Sequence, residues 1–174
     1  KSHKLVNHGG DGTGLWRWTY VRFQGRGQTT LCVFLAYCPV KNPQNPGSVW
    51  NQQCRYFSSQ GNVPNPDPQS MFCFDLCRSI AARWVAGDSI VLSMDHNEDI
   101  RTGPLGTRLK ALGLSDTILN LHSSQSPPAT FNRNTNHIPI DCCLGLCQCE
   151  HPPRWLLFLW CFFLNEIRSP LALD

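Results

Sequence analysis

Residues 15–20 and 29–37 are rich in aromatic and β-branched side chains, and the stretch RFQGRGQ between them carries two glycines suited to the positive φ of a tight reversal. A β-hairpin is expected there. Its second strand, TTLCVFLAY, is apolar almost throughout, as in a strand covered on both faces, and Pro39 ends it by removing a ladder donor. After a loop with Pro43, Pro46 and Gly47, residues 49–59 place Trp50, Cys54 and Phe57 at helical spacing. Asp67-Pro68 then reads as a helix start, with Asp as cap and Pro in the first turn. Phe72, Leu76, Ile80 and Trp84 follow at i, i+4 until Gly87. SIVLSM, residues 89–94, is a short buried-type strand running into Asp95, His96, Asn97, Glu98 and Asp99. Leu105, Leu109 and Leu112 predict another short helix, SDTILNLH a strand or helix edge, and SSQSPPAT a loop.

Composition narrows the class. The 174 residues suffice for one domain with a core, and 41% hydrophobic against 16% charged excludes disorder throughout. A net charge of +3 is too mild for a histone-like binder, yet it does not oppose a phosphate-rich partner. The start, KSHKLVNHGGDGTG, has no apolar signal core. The longest apolar run, WLLFLWCFFL, has ten residues, half the ~20 of a membrane helix. Most of the ten cysteines read as reduced, small buried apolar residues; Cys73 and Cys77, at i, i+4, are expected to be buried.

The chemistry gathers at the end of the SIVLSM strand. Asp95 and Asn97 are two apart and project to one side if strand geometry persists, whereas His96 points the other way. A carboxylate there takes a proton from water or binds a metal, and the amide holds an oxygen in place. The same cluster also reads as an acidic turn that caps the next helix.

In chain order, LAYCPV at one strand end, IVLSMDHNED at another, then PPATFNRN and HIPID resemble the endonuclease/exonuclease/phosphatase superfamily of metal-dependent phosphodiesterases. The Y-x-P and D-x-N motifs carry the resemblance over residues 14–141. It implies an α/β (α+β) fold, a two-layer β-sandwich flanked by helices, here incomplete at both ends. It further implies that Asp95 activates water, Asn97 orients the scissile phosphate, Tyr37 places a hydroxyl near it, and Asp141 orients a catalytic histidine. Thr130 and Phe131 match a loop near the nucleic acid, and Arg55 is a candidate phosphate contact.

The resemblance breaks at both ends. Thirteen residues precede Gly14, with Asn7 but no counterpart of the family's metal-binding glutamate, and no Asp-His pair follows Asp141. After Asp141 five of the ten cysteines fall within residues 142–161. The chain divides into a partial phosphodiesterase-like domain over 1–141 and a divergent Cys/Trp-rich tail over 142–174 of the kind a shifted reading frame or a degenerated element would produce. Cys142, Cys143, Cys147, Cys149 and His151 offer soft ligands, but C-C-x3-C-x-C-x-H matches no zinc ribbon or finger. The expected function is therefore that of a fragment of a Mg²⁺-dependent endonuclease of mobile-element type, acting on nucleic acid, DNA foremost, and inactive as given. It would work in the nucleus or cytoplasm, without a membrane. The alternatives are a non-catalytic nucleic-acid-binding or scaffold module and a pseudogene-like product.

Overall fold

The computed structural model describes residues 4–25, 28–61, 65–117, 120, 131–133, 136–138 and 140–146. Three strands open the fold: β1 (Leu5–Gly10), β2 (Trp18–Gln24) and β3 (Thr30–Tyr37), each antiparallel to the next. Helices α1 (Val49–Ser59) and α2 (Pro68–Val85) then cross over to β4 (Asp88–Asp95), which pairs parallel with β3. Helix α3 (Pro104–Ala111), β5 (Ser115–Asp116), a two-stranded ribbon of β6 (Phe131–Arg133) and β7 (Asn136–Ile138), and β8 (Asp141–Leu146) follow. The main sheet runs β1-β2-β3-β4-β8-β5, with β8 antiparallel to both neighbours. The expected α+β class with flanking helices is the class observed.

Local sequence explains the helices. Ser48 accepts the Asn51 N–H at the start of α1, and Asp67 accepts the Ser70 N–H at the start of α2, with Pro68 in its first turn. Phe72, Leu76 and Ile80 face the sheet and pack with Leu105 and Leu109 of α3 on Cys32, Phe34, Ile90, Leu92, Met94, Cys142 and Leu144. The other sheet face carries a second apolar cluster of Leu31, Val33, Val91 and Cys143, with Val21 and Phe23 against it. Both faces of β3 and β4 are thus apolar, which accounts for their unbroken hydrophobic runs.

Several boundaries differ from those expected of the sequence, the first being that β2 starts at Trp18 rather than at residue 15, because Trp16 takes a left-handed backbone. The hairpin strand β2 extends to Gln24, through residues with the composition of a turn, because Arg22 reaches Asp88 with two hydrogen bonds of 2.8 and 2.6 Å and Phe23 joins the second cluster. The Thr30 hydroxyl also donates to Asp88, so this buried carboxylate ties β2, β3 and β4 together at the end of the sheet remote from Asp95. Strand β1 has no signal in the sequence; it lies at the sheet edge with mostly exposed side chains. Strand β8 carries the sheet five residues beyond Asp141, where the change in composition suggests a boundary, since Cys142, Cys143 and Leu144 are buried between β4 and β5. Residues 147–174 of the tail lie outside the described residues. Among the described residues no helix is long and apolar enough to cross a membrane.

Gly106 inside α3 gives a first prediction. Alanine normally favours a helix over glycine, but a Cβ here would collide with the Ile100 carbonyl oxygen. Gly106→Ala is therefore expected to destabilise the fold by roughly 1–3 kcal/mol, the usual range for overpacking. Urea unfolding checks it, and an unchanged or raised midpoint would contradict the close approach.

Candidate phosphodiester site

The strand ends line up four residues. The Tyr37 N–H donates to the Arg17 carbonyl at 2.9 Å just before β2, Tyr37 pairs with Asp95 across β3 and β4, and Asp95 pairs with Asp141 across β4 and β8. Tyr37 and Asp141 are exposed and Asp95 is partly buried. Like charges opposite one another on neighbouring strands repel, and the Asp141 charge acts on Asp95. Burial, and then the Asp141 charge, raise the Asp95 pKa against the opposing effect of the Asn97 N–H.

Asn97 sits beside this row by a route that strand alternation does not foresee. Strand β4 ends at Asp95, and Asn97 adopts a left-handed backbone with φ of 52°. Its N–H donates to Asp95 Oδ1 at 3.1 Å, and its side-chain amide donates to the Cys38 carbonyl at 2.7 Å. The Cys38 N–H in turn donates to the Asp95 carbonyl at 3.0 Å. Asn97 thus clasps the loops leaving β3 and β4, which fixes Tyr37 relative to Asp95. The partner that makes this possible is the Cys38 backbone, a group that no pattern of chemistry-bearing side chains reveals.

The rest of the polar cluster divides between structure and site. Glu98 Oε1 accepts the Leu105 N–H at 2.9 Å, capping α3 where Gly103 has no side chain to do so. Asp99 pairs with Arg101 at 2.8 Å. His96 is fully buried, and neither ring nitrogen has a hydrogen-bond partner among the described residues; burial lowers its pKa to about 4. It is a neutral core residue outside the row.

Arg55 lies on α1 with its guanidinium donating to the Pro46 carbonyl at 3.0 Å, so it buttresses the exposed β3–α1 loop. Phe131 begins β6, while Thr130 lies outside the described residues. Cys142 and Cys143 are consecutive on β8 and bury on opposite sheet faces, which prevents both from serving one metal; Cys147, Cys149 and His151 lie outside the described residues. Cys73 is buried, and Cys77 is partly so. Burial pushes the Cys32 and Cys38 thiols up to about 12, where they are inert.

A second network joins two neighbours in one loop to a distant partner, Asp75, which lies 58 residues from Arg17 along the chain. Arg17 is fully buried and holds Asp11 with Nε at 2.7 Å and Nη2 at 2.9 Å, and Asp75 of α2 with Nη2 at 2.8 Å. It fixes the β1–β2 loop beside the strand ends.

No family model and no curated protein sequence matches the chain. Among solved structures, it is similar to the catalytic domain of human nocturnin with bound sulfate, at 14% identity and a TM-score of 0.51, covering 82% of this chain and 48% of that one. It is equally similar to the 3′ phosphatase NExo from Neisseria bound to a product DNA hairpin, at 14% identity and a TM-score of 0.51, covering 82% and 59%. The chain therefore spans about half the length of the structures it matches, and a likeness at this identity is one of fold.

Proposed function

We propose, from the premise that the chain has an endonuclease/exonuclease/phosphatase type of fold, that it forms the central part of a site that hydrolyses phosphodiester bonds in nucleic acid. The observation that carries this reading is the row of Tyr37, Asp95 and Asp141, with Asn97 clasping its two loops. In it Asp95, its proton affinity raised by burial and by Asp141, takes the proton of the attacking water. Tyr37, exposed at the neighbouring strand end, donates its hydroxyl to the phosphate, and Asn97 is a positioning residue. DNA is the preferred substrate on the sequence resemblance, and NExo is a structural neighbour bound to a DNA product. The hairpin, the Tyr37-Cys38-Pro39 end of β3, residues 95–99 and PATFNR resemble endonuclease regions that accompany reverse transcriptases, which supports a mobile-element origin.

Magnesium belongs to this reading through the resemblance alone. Among the described residues no three His, Cys, Asp or Glu side chains converge to hold a metal ion. The same observation favours a second reading, a module that binds nucleic acid without cutting it. Labelled plasmid and abasic-site DNA, incubated with the folded chain in Mg²⁺ and in EDTA, separate the two. Cleavage in Mg²⁺ only is the expected result, and it would correct the expectation of an inactive fragment by showing that residues outside the described ones complete the site. Binding that weakens steeply with salt, without cleavage, would establish the module instead. A folded chain that does neither overturns the proposal.

A further inference from the structure

Trp16 is 87% exposed, more than any other large hydrophobic among the described residues, while its neighbours Arg17 and Trp18 are buried. Its backbone is left-handed, with φ of 56°, a conformation unusual for a bulky side chain and costly to keep. The loop that holds it is tied down on several sides. Asp11 accepts the Thr13 N–H and hydroxyl at 3.0 and 2.8 Å and the Arg17 guanidinium, and the Tyr56 hydroxyl donates to the Thr13 carbonyl at 2.9 Å. A buried ion-pair network therefore holds an aromatic ring out in solvent, in a strained conformation. Such over-determined strain is characteristic of ligand-contacting positions.

Its place in the fold indicates the ligand. The Arg17 carbonyl accepts the Tyr37 N–H, and Tyr37 pairs with Asp95, so the loop stands two strand spacings, roughly 10 Å, from Asp95. Exposed Arg55 lies on α1, which Tyr56 ties to this loop, and exposed Lys41 lies in the preceding β3–α1 loop with its ammonium 5.8 Å from the Trp50 ring centroid. A bare aromatic face on a rigid loop, with exposed cations on the elements packed against that loop and the proposed phosphodiester row two strands away, is how proteins take unpaired nucleotides, with bases stacked and the backbone tracked by charge. We infer that Trp16 is a stacking platform for the base of an unpaired nucleotide flanking the scissile phosphate, an inference that rests on the nucleic-acid reading above.

Trp16→Gly tests it with little risk to the fold, because the ring buries almost nothing and glycine tolerates the positive φ. Its thermal midpoint is expected to equal or exceed that of the unaltered chain. Its affinity for a fluorescent single-stranded oligonucleotide, read by anisotropy, is expected to fall roughly 5- to 150-fold. Trp16→Phe should keep most of the affinity. An oligonucleotide of abasic spacers, which offers phosphates but no base to stack, should bind both chains alike. Equal binding of the normal oligonucleotide by Trp16→Gly and the unaltered chain overturns the stacking role while leaving the nucleic-acid reading intact. An equal loss on the abasic strand overturns it too, by showing that the ring's effect is not stacking. Failure of the unaltered chain to bind any oligonucleotide overturns both.

Discussion

Replacing Arg17 by alanine is expected to cost about 3–5 kcal/mol, a large part of the ~5–15 kcal/mol that holds a domain together. The cost comes from what is left behind. Arg17 neutralises Asp11, whose side chain is 1% exposed, and Asp75, at 16%, while its guanidinium lies 4.8 Å from the Trp18 ring centroid and 5.3 Å from that of Phe57. Without it a buried carboxylate has no cation and the two rings enclose a void. Burial alone would raise the Asp11 pKa, but the hydrogen bonds from Arg17 and Thr13 outweigh it and hold the group below its ordinary 3.8. An acid with a lowered folded pKa contributes stability above its unfolded value and loses it as pH falls through the folded one. The unaltered chain should thus keep this contribution at pH 7 and shed it below about pH 4. In Arg17→Ala the deserted Asp11 changes sign and is relieved by acid, so the gap between the two chains narrows on acidification. Arg17→Met, which refills the volume without the charge, should remain strongly destabilised at neutral pH. Urea unfolding at both pH values measures this, and a loss under about 1 kcal/mol at pH 7 would show that the network is not structural.

The parts of the fold that are legible in the sequence are those whose causes are local. The bounds of α1 follow from Trp50, Cys54 and Phe57, and α2 from the Asp67-Pro68 start with its i, i+4 apolar stripe. Strand β4 exceeds its apolar run by one residue at each end, because Asp88 and Asp95 are polar but paired; Ser89 and Met94 lie just inside them. What escapes depends on distant partners. LVNHGG forms β1 only because β2 supplies its ladder, and Arg22 has the look of a turn residue until Asp88, 66 positions away, engages it. DCCLGL shows no alternation or cap, yet a strand buried on both faces needs only small apolar side chains, which cysteine provides. The site is half legible for the same reason. Tyr37, Asp95 and Asp141 stand at the ends of recognisable segments, whereas the turn at Asn97 and the carbonyl of Cys38 have no side-chain signature.

Asp95→Asn should separate function from stability in opposite directions. As the group that takes the water proton, Asp95 accounts for roughly 10²–10⁴-fold of rate, and its amide cannot take a proton, so cleavage should fall by that factor. Its backbone clasp should survive, because an amide oxygen still accepts the Asn97 N–H. Burial, followed by the facing Asp141, raises the Asp95 pKa in the folded chain, so the ionised carboxylate is a burden to the fold above that pKa, a burden removed as pH falls through it. The neutral amide removes the same burden at every pH. Asp95→Asn is therefore expected to unfold at higher urea than the unaltered chain at pH 7, and the advantage should fade on acidification toward the ordinary aspartate value of 3.8. Cleavage by the unaltered chain should fail on the acid side at a higher pH than an ordinary aspartate would impose, because the base works only when ionised. Paired urea and cleavage profiles make the comparison. A variant that is less stable at pH 7 would mean that Asp95 serves the fold, and undiminished cleavage would remove it from the chemistry. The expected pairing of higher stability with lost activity is the signature of a carboxylate held against its solvation preference for the reaction it performs.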